Sequence, residues 1–395
     1  MSADRPPDPS PPDDTADDHD MYSRPLGAGI DLADPNSKLA PFYFAPGGLF
    51  AAALLAAAFS FYTYLPLNHT DVWVHLKYGE RIVETHALPE TEPFSPYTDK
   101  SAKLVNAQWL TQVIYAVTFN AGVALHTGDE GVRWLGGAEA VRVLHAAAVT
   151  AFLGLMALAV KRAGGCNTPA VLTILLLVPV MFLTFGVHRP QMLGLMMFAA
   201  VLATVSRPEL PRRVTWTLPL LLTVWANLHG SFAVGVVLLG VTAVGRAVDA
   251  ARVGKSVRSV FADVSLRRLV IGAALAVVAA AVLNPYGPKL YLAVLTFGSN
   301  PNLKYLMEWE PLRAAELAPG TMVYWGLLAA NLIAAAVGFR SVSFARLLVV
   351  LAFAVPPHLQ QRMLVWFVTV GVWGLMAQLA AIAVRRGWTA PPIPP

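Results

Sequence analysis

The chain has 395 residues, of which 56% are hydrophobic and 13% charged, and its mean hydropathy is +0.55. A soluble domain of this size carries about 25% charged residues, so the composition excludes an ordinary water-soluble enzyme and points to a polytopic, all-α integral membrane protein. The net charge of +5 does not call for nucleic acid. The basic residues come in ones, twos and threes between apolar runs, the pattern that orients membrane helices.

Residues 1–45 form a tail rich in Pro and Asp, with nine Asp up to Pro46 against Arg5, Arg24 and Lys38. Few apolar residues and many prolines cannot bury a core, so disorder is expected there. The lone Cys166 excludes an intrachain disulfide and lies in no metal-ligand spacing. The first apolar run starts too late and is too long for a cleavable signal, and reads as a retained anchor.

The membrane domain is expected over 46–387, with a Pro-rich tail at 388–395. A first helix over 47–67 leads into a large outer segment, 68–137, whose Leu88-Pro89, Glu92-Pro93 and Ser95-Pro96 pairs break it into short pieces. Within it, 108–125 is interrupted by Gln112 and Asn120 and reads as an interfacial helix. Further spans are expected near 139–160, 168–187, 191–206, 214–227, 231–247, 269–284, 321–338, 344–357 and 363–384. With the first helix these make about ten, several of them short for a ~30 Å hydrocarbon core.

Alternate loops hold Lys161 and Arg162; Arg207, Arg212 and Arg213; Arg246, Arg252, Lys255, Arg258, Arg267 and Arg268; Arg340 and Arg346; Arg385 and Arg386. The positive-inside rule makes these cytoplasmic, together with both termini. The opposite, outer ends collect His188-Arg189-Pro190-Gln191, Asn227 and His229, Asn284 and Tyr286, Glu310, and His358 through Arg362. Asp71, Trp73, His75 and Glu80, in the segment after the first helix, fall on the same side. Ionisable side chains at such depths are costly against lipid and tend to line enclosed or wet cavities. Each also has a plain structural reading. Arg189 and Arg362 could snorkel to headgroups, Asp71 could cap a helix, and Glu80 could pair with Lys77. Asn284-Pro285-Tyr286-Gly287 could be a helix stop, and His229-Gly230 a re-entry turn.

The ordered set Asp71-x-x-x-His75-Leu-Lys-x-Gly-Glu80, Leu88-Pro-x-Thr-x-Pro-Phe-Ser95, Trp109-Leu110, Arg189-Pro-Gln191, Trp225-Ala-Asn-Leu-His-Gly-Ser-Phe232 and Leu283-Asn-Pro-Tyr-Gly287 resembles the bacterial branch of the polytopic GT-C glycosyltransferases. The resemblance covers about residues 47–385. It implies a transferase of the bacterial cytoplasmic membrane. The enzyme would take a sugar from a polyprenyl-phosphate donor among the membrane lipids and pass it to an acceptor, unidentified here, on the outer, periplasmic face. The family's acid near the end of the first helix, a base or divalent-metal ligand, matches Asp71. Many relatives have two adjacent acids there, whereas Asp71 stands between Thr70 and Val72.

The implied roles follow the chemistry. Arg189 and Arg362, with His188 and Gln191 beside Arg189, would bind the donor phosphate through charge-assisted, bidentate hydrogen bonds. Asp71, His75 and Glu80 would supply acid–base chemistry. Trp73, Asn227, His229, Asn284, Tyr286, Glu310 and His358 would line the substrate cavity. No Walker or Gly-rich nucleotide motif is present. Two other classes stay open. One is a non-catalytic subunit of the same fold, which the lone Asp71 allows. The other is a transporter or flippase, which would place functional polar residues on both membrane sides.

Overall fold

In the computed structural model the described residues are 46–67, 70–98, 103–164, 167–254, 256–313, 315–316, 318–339 and 343–388. The acidic tail 1–45, Cys166, Lys255, Arg340 and residues 389–395 lie outside them. Every regular element among the described residues is helical: α1 (Pro46–Tyr64), α2 (Asp71–Thr85), α3 (Trp109–Leu125), α4 (Glu130–Arg162), α5 (Asn167–Val180), α6 (Phe182–Phe185), α7 (Gln191–Val205), α8 (Val214–Leu228), α9 (Phe232–Gly254), α10 (Val257–Ala262), α11 (Val264–Val282), α12 (Lys289–Thr296), α13 (Pro319–Val337), α14 (Phe344–Ala354) and α15 (Leu364–Arg385). Short 3-10 turns cover Met307–Trp309, Pro356–His358 and Gln361–Met363.

Five helical segments are long and apolar enough to cross a membrane: α4, α9, α11, α13 and the stretch Gln361–Arg385 that contains α15. α11 and α13 turn Val278, Val282, Leu332 and Ile333 outwards, the exposed apolar surface that a lipid environment accepts and water does not. Six further apolar helices are shorter. The expected 168–187 span is broken, because Pro179 lies inside α5 and Met181 separates it from α6. The expected 344–357 span stops as an α-helix at Ala354, ahead of Pro356 and Pro357. α10 and α12 were not legible as separate helices.

The segment after α1 positions the site. α2 buries Val72, Leu76, Gly79 and Ile82 along one face, the spacing of an amphipathic helix, and that face meets α3. The contact is backbone-close: a Cβ on Gly79 would lie 1.9 Å from the Gln112 carbonyl oxygen and 2.9 Å from Ala116 Cβ. α4 spans 33 residues, about 50 Å at 1.5 Å per residue, so it outruns a ~30 Å core. Its early turns pack on α3, and Arg142 reaches back to the Thr63 carbonyl at the end of α1. Asp129 caps α4 by accepting from Val132 N at 2.9 Å.

The central core is aromatic. Phe198 on α7, Trp225 on α8, Phe353 on α14 and Trp366 on α15 meet with ring centroids 5.2–6.3 Å apart. α7, α9 and α15 begin beside Gln191, Ser231 and Arg362 and end beside Arg207, Arg252 and Arg385. The basic residues and the sequence-predicted site residues therefore occupy opposite ends of these helices.

Candidate functional site

Arg189 sits in the turn before α7 and uses two edges of its guanidinium at once. Nε lies 3.0 Å from Asp71 Oδ2 at the start of α2, and Nη1 lies 2.8 Å from Glu308 Oε2. The other Glu308 oxygen is 3.7 Å from Arg362 Nη1, and the Arg362 guanidinium lies over the Trp309 ring at 4.2 Å. Asp71, Arg189, Glu308 and Arg362 thus form one chain of alternating charge, drawn from four segments far apart in sequence. These side chains are 24–43% exposed, and such pairs contribute only about 0–1 kcal/mol each to stability. Glu308 is held by its 3-10 turn, which Gln361 braces. The Gln361 side chain donates to the Met307 carbonyl, and its backbone N–H donates to the Glu310 carbonyl at 2.7 Å.

Two cavities meet at this chain. One, of about 540 Å³, has a polar side formed by His75, Asn106, Gln112, Gln191, His229, Ser231, Gln360 and Arg362, and an apolar side formed by Leu104, Val105, Val234, Val294, Leu295 and Phe297. The other, of about 780 Å³, is walled by apolar side chains, among them Phe182, Leu183, Met192, Leu195, Leu364 and Val368, with Arg189, Glu308 and Arg362 as its charged residues. Gln191 and Arg362 line both. Two guanidiniums at the junction of an apolar groove and a chamber with one polar side suit an amphiphile with an anionic head.

Both imidazoles on the polar side of the first cavity are held neutral. Gln112 Oε1 accepts from Asn106 Nδ2 at 2.6 Å, which turns Gln112 Nε2 towards His75 Nδ1 at 3.2 Å. The Ser231 backbone N–H donates to His229 Nδ1 at 3.0 Å. With Nδ1 accepting, each neutral ring carries its proton on Nε2. Burial pushes His75 down to about 4, with Asp71 opposing the shift and Arg189 adding to it. Burial, then Arg362 and His75, pushes His229 down to about 3. At neutral pH both serve as hydrogen-bonding groups rather than cations.

Other predicted site residues are placed elsewhere. Asp71 lines neither cavity and holds Arg189 from behind. It is the first residue of α2, an acid in the first turn after Thr70, which makes no side-chain cap. His188 is fully buried and stacked on His145 at 4.2 Å, lining neither cavity. In the turn before α7 its side chain and that of Arg189 part ways. Trp73 stacks on Trp134 at 5.2 Å, Glu80 pairs with Lys77 at 2.7 Å, and Glu310 pairs with Arg313 at 3.2 Å. His358 Nε2 meets the Tyr324 hydroxyl at 2.8 Å. Asn227 and Asn284 are internal pins. Asn227 Oδ1 accepts from Trp109 Nε1 and Asn284 Nδ2, both at 3.0 Å, and Asn284 Oδ1 accepts from Tyr286 N at 3.0 Å. These bonds tie α3, α8 and the end of α11 together where water is scarce and amides must find each other.

Glu308, Gln112, Asn106, Ser231, Gln360 and Trp366 were not singled out by the sequence. Glu308 had a signal: two acids flank Trp309, and the inner one faces the arginines. Asp71 and Glu308 are each engaged by a guanidinium. Among the described residues no three His, Cys, Asp or Glu side chains converge. The chain matches no protein-family model, no curated protein and no solved structure.

Proposed function

We propose that this protein is a membrane glycosyltransferase that moves a sugar from a polyprenyl-phosphate donor to an acceptor hydroxyl on the outer face of the bacterial cytoplasmic membrane. The observation that carries this reading is the junction at Gln191 and Arg362. There an apolar groove bearing Arg189 and Arg362 meets a second cavity whose polar side includes His75, Gln112, Gln191 and His229. In this reading the polyprenyl tail lies in the groove and the phosphate takes the guanidiniums, competing with Glu308. The sugar enters the chamber, where the Nε2–H groups of His75 and His229 suit its hydroxyls.

The acceptor oxygen attacks the anomeric carbon, the carbon–oxygen bond to phosphate breaks, and its electron pair leaves on the phosphate beside Arg189 and Arg362. The acceptor proton passes to a base at the chamber, while Asp71, outside both cavities and 3.0 Å from Arg189 Nε, orients that guanidinium for the phosphate. The matching topology crosses the membrane about ten times, with α5 and α6 as one crossing and α2 and α3 outside it. Its support is the separation of basic and site ends along α7, α9 and α15.

The test is transfer by the purified protein in liposomes, given a radiolabelled polyprenyl-phosphate sugar and a crude envelope acceptor fraction. Label reaching the acceptor in the wild type, and lost in Arg362→Gln, is expected. Label that stays on the lipid but changes leaflet would make the protein a flippase. No change of either kind would leave a non-catalytic subunit.

A further inference from the structure

The far end of the helices holds a third cavity, of about 600 Å³. α9 connects the two ends: Val234 lines the chamber of His75 and His229, and Asp249 lines this one, separated by about 22 Å of helix at ~1.5 Å per residue. Arg346 enters from the first turn of α14 and Trp373 from the middle of α15.

The polar groups of its wall can be accounted for one by one. Asp249 accepts from Phe344 N at 2.8 Å, Ala345 N at 3.0 Å and Ser343 Oγ at 2.8 Å, so it is spent on the start of α14. Arg246 donates to the carbonyls of Val205, Arg207 and Pro208 at the end of α7. Asp263 accepts from Leu266 N at 2.7 Å. Ser206, Thr242 and Ser259 return their hydroxyls to backbone carbonyls. Two buried donors remain without an acceptor: Arg346 Nη1 and Trp373 Nε1. Trp373 is only 6% exposed. Arg346 spends Nη2 on the Ala163 carbonyl at 3.3 Å, and Asp249, the acid whose field reaches it, is already engaged. No acceptor atom of this wall is left buried and unpartnered.

Two buried donors belong to side chains of this wall, one of them a guanidinium, and the partners that satisfy them are oxygen lone pairs carrying negative charge. The remaining walls are apolar, from Val205, Val253 and Val349, and Arg162, Arg207 and Arg213 act on one another nearby. We propose that this cavity binds a phosphate group, held by Arg346 and the Trp373 indole, as a second anion site at the opposite end from Arg189 and Arg362. The inference does not depend on the transferase reading.

The phosphate can belong to an anionic phospholipid or to a soluble ester, and the test separates the two. The full chain, carrying Arg362→Gln to weaken uptake at the other end, is purified in detergent and stripped of lipid. It is titrated with dihexanoyl phosphatidylglycerol and, separately, with inorganic phosphate, reading native mass spectra and the thermal midpoint. Binding of at least one probe is expected. Trp373→Phe, which removes the N–H and keeps the ring and the charge, should weaken it about fivefold, and Arg346→Gln by roughly tenfold or more. Equal stabilisation by both probes identifies soluble phosphate as sufficient. A response to the lipid alone identifies a headgroup. If neither probe binds, or if Trp373→Phe binds as tightly as its parent, the proposal is overturned. Because Trp373→Phe alone decides, a folding defect in Arg346→Gln does not blunt the test.

Discussion

Arg189→Lys separates a brace from a phosphate ligand. Arg189 bridges Asp71 at 3.0 Å and Glu308 at 2.8 Å through two edges of one plane. Lysine keeps the charge but offers a point donor that reaches one carboxylate at a time. Two unit charges 4 Å apart at an effective dielectric of 20 attract by about 4 kcal/mol gross. All three side chains are a third or more exposed, so solvent screening reduces each pair to about 0–1 kcal/mol net. Losing one pair should therefore lower the thermal midpoint by no more than about 1 °C. A phosphate on the planar fork is a different case. A charge-assisted hydrogen bond is worth about 1.5–3 kcal/mol, so losing the second one weakens binding by roughly 10- to 100-fold. The assay is titration of detergent-solubilised protein with polyprenyl phosphate, alongside a melting curve. The expected result is a small thermal shift with a large affinity loss. Undiminished affinity in both Arg189→Lys and Arg189→Ala would refute the reasoning and leave Arg189 as a brace between Asp71 and Glu308.

Three further outcomes are expected. Asp71→Asn removes the charge that holds Arg189 Nε, so donor affinity and transfer should fall together by a few-fold; a loss of turnover of roughly 10²–10⁴ with unchanged affinity would make Asp71 the base instead. Gly79→Ala drives a Cβ into the Gln112 carbonyl and should cost about 1–3 kcal/mol, read as a lower midpoint; an unchanged midpoint would show that α2 and α3 do not pack this closely. His75 and His229 are held near 4 and 3, below the unfolded value of about 6.5. The unfolded chain then binds more protons, so stability is full above about pH 6.5 and falls as pH drops towards 4 and 3. Melting midpoints at pH 7 and pH 5 should show a drop that shrinks in His75→Asn, and an equal drop in that variant would absolve the imidazole.

Most of the helical frame was legible because lipid-facing helices must be apolar along their length. α7 and α8 match the expected ranges within a residue or so, and α15 starts one residue after its expected start. What the pattern hid was local. Proline broke α5 from α6, and the first turns of α11 were masked by Arg267 and Arg268. The collection of polar residues at one end of α7, α9 and α15 was also legible, since they punctuate the apolar runs opposite the basic ends. Which of them face a cavity was not. At a helix end the backbone turns sharply, so neighbours diverge: His188 goes into the core against His145 while Arg189 meets Asp71. Glu308 and Glu310 divide in the same way, one towards the arginines and one towards Arg313. Asn227 and Asn284 were conspicuous as polar residues, yet their amides satisfy each other.

The central claim is that a lipid phosphate sits where the apolar groove meets the chamber, against Arg189 and Arg362. Photocrosslinking with a polyprenyl phosphate bearing a diazirine near its head tests this most directly, with peptides read by mass spectrometry. The account predicts adducts in 179–195 and 361–368, competed away by unlabelled polyprenyl phosphate and lost in the Arg189→Gln, Arg362→Gln double variant. Adducts confined to other helices, or ones that persist unchanged in the double variant, would contradict it.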